Sequence, residues 1–190
     1  MAKIFNGSQY KELVKKIIKQ GNGVNDTYEL IGEKIEVSFA TKEKVIEMLG
    51  LDSEITDKFT HAICNQMKVQ VGPFDTDKYL FLVPAIKEAV AQLKFDCNET
   101  RRAIIQFPKE HCFQSIQFLY RENTIHIVCS MRSCNAIKNL PYDIWLCFQV
   151  ADIFKYYMKE TLGLTPYTFS VLTMMFGSLH VFEKDAKDVL

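Results

Sequence analysis

Residues 102–158 read RAIIQFPKEHCFQSIQFLYRENTIHIVCSMRSCNAIKNLPYDIWLCFQVADIFKYYM, and the order of patterns within them sets the fold class. Arg102 to Phe107, Phe113 to Tyr120 and Thr124 to Met131 are short segments of strand character, rich in Ile, Phe and Val. Arg121-Glu122-Asn123 joins the last two as a hairpin turn. The period then changes. From Ile144 to Met158 the chain is strongly apolar, with Cys147, Phe148, Ala151, Phe154 and Met158 on one helical stripe. That helix is predicted to be central and buried, and several strands around one buried helix point to an α+β domain.

Toward the N-terminus, Tyr10 to Gln20 carries Leu13, Val14, Ile17 and Ile18 at helical spacing, and residues 21–26 (GNGVND) form a turn by composition. Tyr28 to Phe39 (YELIGEKIEVSF) alternates after Gly32 and reads as a strand. Thr41 to Leu49 reads as a short helix stopped by Gly50. Residues 51–78 show no decisive period and are broken by Gly72-Pro73 and Asp75-Thr76-Asp77. An amphipathic helix returns from Val83 to Lys94, with Ile86, Val90 and Leu93 on one face. Thr168 to Met175 and Leu179 to Glu183 are expected as closing strands. No internal repeat, low-complexity segment or linker interrupts the chain, so residues 1–190 are read as one domain.

Composition narrows the function classes. Hydrophobic residues at 48% and charged residues at 24% suit a globular protein with a real core. Lys plus Arg and Asp plus Glu balance at 23 each, so no bulk field draws the chain to nucleic acid or an anionic membrane. Any anion site must come from a few placed arginines. The opening MAKIFNGSQYKELVKKIIKQ lacks the apolar core of a signal peptide, and no apolar run approaches the roughly 20 residues that span a bilayer. A cytoplasmic location is therefore expected. The six cysteines, Cys64, Cys97, Cys112, Cys129, Cys134 and Cys147, form no CxxC pair and are expected as free thiols. His61, His111, His126 and His180 show no ligand spacing with them, so no metal is expected.

Four segments in order carry a resemblance: Thr100-Arg101-Arg102-Ala103-Ile104-Ile105; His111-Cys112-Phe113 with Gln117-Phe118; Arg132-Ser133-Cys134-Asn135 with Asn139-Leu140-Pro141-Tyr142-Asp143-Ile144; and Gly177-Ser178-Leu179-His180-Val181-Phe182. Together they resemble the thymidylate synthase and pyrimidine (dCMP, CMP) hydroxymethylase family over about residues 83–185. The third is similar to the family's RSxDxxxGxPFNI run and the fourth to its GDxHxY segment. Residues 23–27 (GVNDT) lie near the family's N-terminal phosphate loop, without its arginine.

The resemblance implies a mixed sheet packed around a buried central helix, and a site for a pyrimidine nucleoside monophosphate. Cys112 takes the place of the nucleophile that adds to carbon 6 of the base and so makes carbon 5 nucleophilic. Arg132 would favour the thiolate and, with Ser133, bind the phosphate through forked charge-assisted hydrogen bonds. Arg101 and Arg102 would reach the same phosphate from the partner of a homodimer. Asp143, Asn135 and Gln117 fall at base-binding positions, and His180 at the position that contacts the sugar. At residue 143 the synthases carry asparagine; the aspartate here tilts the base toward cytosine, which presents an amino donor. The one-carbon donor of the family is 5,10-methylenetetrahydrofolate.

The same residues have plainer readings. Cys112 suits a buried core thiol, as do Cys129, Cys134 and Cys147. Arg101-Arg102 suits a solvated pair, His180 a core histidine, and Asp143 the N-cap of a helix starting at Ile144. His111 is not read as a partner of Cys112, because adjacent strand residues face opposite ways. The family pattern is also broken. His111 replaces the proline usual before the nucleophile, Asn135 replaces the folate-contacting aspartate, Asn139 replaces a glycine, and Phe182 replaces the sugar-contacting tyrosine. The glutamate, the tryptophan and the C-terminal tail that serve folate have no counterpart, since Trp145, the only tryptophan, lies in the apolar helix. Four functions remain open: one-carbon transfer to a cytidylate or uridylate, nucleotide binding by a catalytically reduced relative, folate-independent chemistry such as glycosidic-bond hydrolysis, and a scaffold role.

Overall fold

A computed structural model describes residues 7–51, 53–95, 100–164 and 168–187. Its elements are α1 (Gly7–Gln20), β1 (Asn22–Val24), β2 (Thr27–Ile31), β3 (Lys34–Ser38), α2 (Lys42–Met48), α3 (Ser53–Cys64), β4 (Gln70–Val71), β5 (Phe74–Asp75), α4 (Leu82–Phe95), β6 (Ile104–Gln106), β7 (Phe113–Arg121), β8 (Thr124–Asn135), α5 (Leu140–Leu162), β9 (Thr168–Phe182) and α6 (Glu183–Ala186). The fold is α+β, with a seven-stranded mixed sheet in the order β1-β2-β9-β8-β7-β6 and β3 also paired to β9. Cys97 lies outside the described residues.

The β7–β8 hairpin follows from its turn. Glu122 and Asn123 both take positive φ (49° and 62°), the conformation whose twist matches that of two flanking strands. β8 and β9, by contrast, run parallel, and parallel strands need a long crossover between them. α5 is that crossover. It is buried along most of its length, Trp145, Phe148 and Phe154 included, and Phe154 stacks on Phe118 of β7 with ring centroids 3.8 Å apart.

Several boundaries differ from the sequence reading. α5 starts at Leu140 rather than Ile144, because Pro141 in the first turn needs no N–H donor there. Asp143 is therefore not the N-cap. That place belongs to Asn139, whose carbonyl accepts from the Asp143 N–H at 2.9 Å. The single strand read across Tyr28–Phe39 is two, parted at Gly32 (φ +69°), and both pair with β9. The two closing strands are one, β9, and Glu183 opens α6. Residues 51–78 hold α3 and the β4–β5 hairpin, which turns at Gly72 (φ +52°) and Pro73. α3 buries Phe59, Ala62 and Ile63, and Phe59 and Phe74 pack on Trp145 at 5.0 and 4.3 Å.

Buried residues alternate along β8 (Ile125, Ile127, Cys129, Met131) and along β9 (Leu172, Met174, Phe176), then change phase to Cys134 and to Leu179 and Val181. The change falls at one level in both strands, because Met131↔Phe176 and Cys134↔Leu179 keep the same register. At this level the backbones are close. A Cβ on Gly177 would stand 2.6 Å from the Arg132 carbonyl oxygen, inside any real contact distance. We expect Gly177→Ala to lower unfolding stability by about 2 kcal/mol or more in denaturant titration. Gly23→Ala, where an added Cβ meets nothing within 4 Å, should be close to neutral. Equal losses at both sites would contradict the close approach.

Candidate functional site

The β7–β8 pairing brings the predicted nucleophile to the predicted phosphate binders. The Arg132 N–H donates to the Cys112 carbonyl at 2.8 Å, and the Ser133 hydroxyl lies 3.8 Å from the Cys112 Sγ. An irregularity in register between Phe113 and Ser115 marks the start of β7 just beyond the thiol. Cys112 is half-buried and Arg132 exposed. Among the described residues no side chain or carbonyl is bonded to the Arg132 guanidinium.

Asp143 faces the same end of the sheet from the first turn of α5. Its Oδ2 accepts from the buried Cys134 thiol at 3.2 Å. Burial pushes the Asp143 carboxyl up to about 7, and the thiol hydrogen bond works against that rise. The Cys134 thiol is itself pushed well up, first by burial and then by the neighbouring Asp143. Asn135 is also buried. Its Oδ1 accepts from the backbone N–H groups of Ile137 and Lys138, both at 2.9 Å, and so builds the turn that leads into α5. His180 is the register partner of Asn135, and its carbonyl accepts from the Ala136 N–H at 2.8 Å. Burial lowers the pKa of its ring, with Glu29 opposing, and the ring packs edge-on to Phe182 at 5.5 Å.

Six of the predicted residues thus gather at one end of the sheet: Cys112, Arg132, Ser133, Asn135, Asp143 and His180. Gln117, Arg101 and Arg102 do not join them within the chain. Gln117 pairs with Ile104 and Val128, and its side-chain amide donates to the Arg101 carbonyl at 2.7 Å. At about 3.4 Å per strand residue it stands roughly 17 Å along β7 from the Cys112 end. Arg102 lines a separate cavity of about 380 Å³ between α4 and β6.

Three neighbours of this site carry no functional signal in the sequence. Cys134 reads only as a small hydrophobe. Tyr10 of α1 donates to the Ala136 carbonyl at 3.0 Å, and burial pushes its hydroxyl up to about 12. Tyr79 closes a 3-10 turn (Thr76–Tyr79) just past residues 51–78, the stretch without a readable period. Burial raises its pKa, and Asp143 and then Asp75 add to the rise. Its ring packs against His111 at 5.7 Å, and His111 also meets Phe81 and Phe107, so that imidazole belongs to an aromatic cluster.

Among the described residues no group of three or more His, Cys, Asp or Glu is arranged to hold a metal. No helix among them is long and apolar enough to cross a membrane. No family model matches the chain, and no curated protein matches it in sequence.

The raised Asp143 pKa has a consequence for stability. Relative to an ordinary value of 3.8, a folded value of about 7 means the folded chain holds the proton more tightly. That contribution is complete below about pH 4 and is lost as pH rises through about 7. Asp143→Asn cannot titrate, so between about pH 5 and pH 8 the wild type should lose stability that the variant keeps. The difference should reach a few kcal/mol, at about 1.4 kcal/mol per pKa unit. Parallel stability curves for the two proteins would contradict it.

Proposed function

We propose that this chain binds a pyrimidine nucleoside monophosphate, with a cytidylate favoured, and activates the base by adding the Cys112 thiolate to carbon 6, as in the thymidylate synthase and pyrimidine hydroxymethylase family. The observation that carries the reading is the grouping of Cys112 with Ser133 and Arg132 at the end of β8, beside Asp143. In the proposed step the Sγ–carbon 6 bond forms and the 5,6 double-bond electrons move to carbon 5, delocalised toward position 4 of the ring. Carbon 5 then takes a proton from solvent and gives up the hydrogen it carried. Expulsion of the thiolate restores the double bond.

Asp143 supports cytosine recognition when neutral. A protonated carboxyl donates one hydrogen bond and accepts another, which matches the acceptor at ring nitrogen 3 and the amino donor at position 4. With a pKa of about 7 the carboxyl is about half protonated at neutral pH and holds its proton below it. Arg132 and Ser133 would hold the phosphate. Arg101 and Arg102 stand too far along the sheet to reach it within one chain, so in this reading they act from the second subunit of a homodimer. His180 would meet the sugar.

The residues present do not fit the folate donor. Asn135 spends its Oδ1 on the turn before α5. Trp145 is fully buried, its ring against Phe74 and its Nε1 3.4 Å from the Thr56 hydroxyl. Neither offers a folate contact. The same two residues favour a second reading, nucleotide binding without turnover. One-carbon transfer would need the donor site to be built elsewhere.

Titration of CMP, dCMP, UMP and dUMP against wild type and Arg132→Ala tests the binding claim. Cytidylates should bind more tightly than uridylates, and Arg132→Ala should lose tenfold or more, since a charged hydrogen bond contributes about 1.5–3 kcal/mol. Equal affinity for the unphosphorylated nucleosides would refute the phosphate role. Release of tritium from carbon 5 of the bound cytidylate, abolished in Cys112→Ala, separates the activating protein from the passive binder.

A further inference from the structure

Cys134 stands between the two halves of the site and takes no part in the chemistry above. Its side chain is 1% exposed, and it spans from β8 to the first turn of α5 through the 3.2 Å contact of its thiol with Asp143 Oδ2. The other carboxyl oxygen is different. Among the described residues no donor is bonded to Oδ1, and Asp143 as a whole is half-buried. We propose that Cys134 is a positioning residue, whose thiol pins Oδ2 and so fixes Oδ1 as the leading Asp143 oxygen toward a bound base. This inference rests on the nucleotide-binding reading.

The geometry sets how the pin acts. A carboxyl on the first turn of a helix can rotate about its terminal torsion, which is broad and roughly two-fold. A buried donor on one oxygen removes that freedom and leaves a single presenting edge. The donor also favours the ionised carboxylate, in opposition to burial. The titratable groups that act electrostatically with Asp143 are Cys134 on β8, Cys147 one turn along α5, and Tyr79 at the end of its 3-10 turn. All three are neutral as acids, and among the described residues no cation pairs with Asp143. Loss of the thiol therefore leaves burial unopposed and moves the Asp143 titration upward. A serine in its place keeps a donor; an alanine does not.

The test uses the full chain as wild type, Cys134→Ser and Cys134→Ala, with two readouts. The first is the Asp143 carboxyl titration followed by carbon-13 NMR without nucleotide. In Cys134→Ala the midpoint should rise by about half a pH unit or more, and in Cys134→Ser it should stay near wild type. The second is the affinity for CMP and UMP across the pH range. Cys134→Ala should narrow the CMP-to-UMP affinity ratio about fivefold and carry the midpoint of its pH profile upward, while Cys134→Ser keeps the ratio within about twofold. An unmoved titration in Cys134→Ala overturns the pin. So does a Cys134→Ser variant as displaced as the alanine, because packing alone would then explain both. If the titration moves as stated but wild type binds neither nucleotide, the contact is real and its role in base recognition falls together with the nucleotide reading.

Discussion

Parallel strands cannot be joined by a tight turn, and the placement of Arg132, Ser133, Asn135, Asp143 and His180 follows from that constraint. β8 must leave the sheet, run through α5 and return as β9 beside itself. The exit point is a short turn braced by the Asn135 side chain, the His180 carbonyl and Tyr10. Arg132 and Ser133 come immediately before it and Asp143 immediately after it. Cys112 is carried in by the antiparallel partner β7, and His180 by the returning strand. A crossover helix buried this thoroughly cannot shift without disturbing the core, so Asp143 is held on a rigid element, while Cys112 lies one residue before the start of β7.

The electrostatics of this end are set by burial and a few neighbours, not by bulk charge. The chain is formally neutral; Arg132 is exposed and its backbone N–H donates to the carbonyl of the half-buried Cys112, while the Asp143 carboxyl is pushed up to about 7 by burial. An acid held neutral can both donate and accept, which a surface aspartate cannot do. The thiols of Cys134 and Cys147, raised by burial, keep the interior of the site uncharged.

The core of this arrangement was legible in the sequence and the connections were not. Strand alternation and the apolar stripe of the central helix placed β7, β8 and α5, because those signals are strong and local. The family resemblance singled out Cys112, Arg132, Ser133, Asn135, Asp143 and His180, which lie toward one end of the sheet, and Gln117, Arg101 and Arg102, which do not. What was missed depends on contacts between distant segments. Pro141 sits inside the first turn of α5, so a helix read from Ile144 starts a turn late and gives Asp143 the look of a cap. The Gly177-Ser178 step looked like a break, but the phase of burial changes there in both strands without loss of register. α3 and the turn bearing Tyr79 showed no clear period, and their place is decided by packing on Trp145 and His111. Cys134 gave no signal beyond apolarity, because its role is a single hydrogen bond across the core.

The most direct measurement is a crystal structure of the chain with a cytidine monophosphate bound. The account requires the phosphate within hydrogen-bonding distance of Arg132 and Ser133, carbon 6 over the Cys112 Sγ, and the amino edge of the base against Asp143. A nucleotide seated in the cavity between α4 and β6, or with its phosphate away from Arg132, would contradict it.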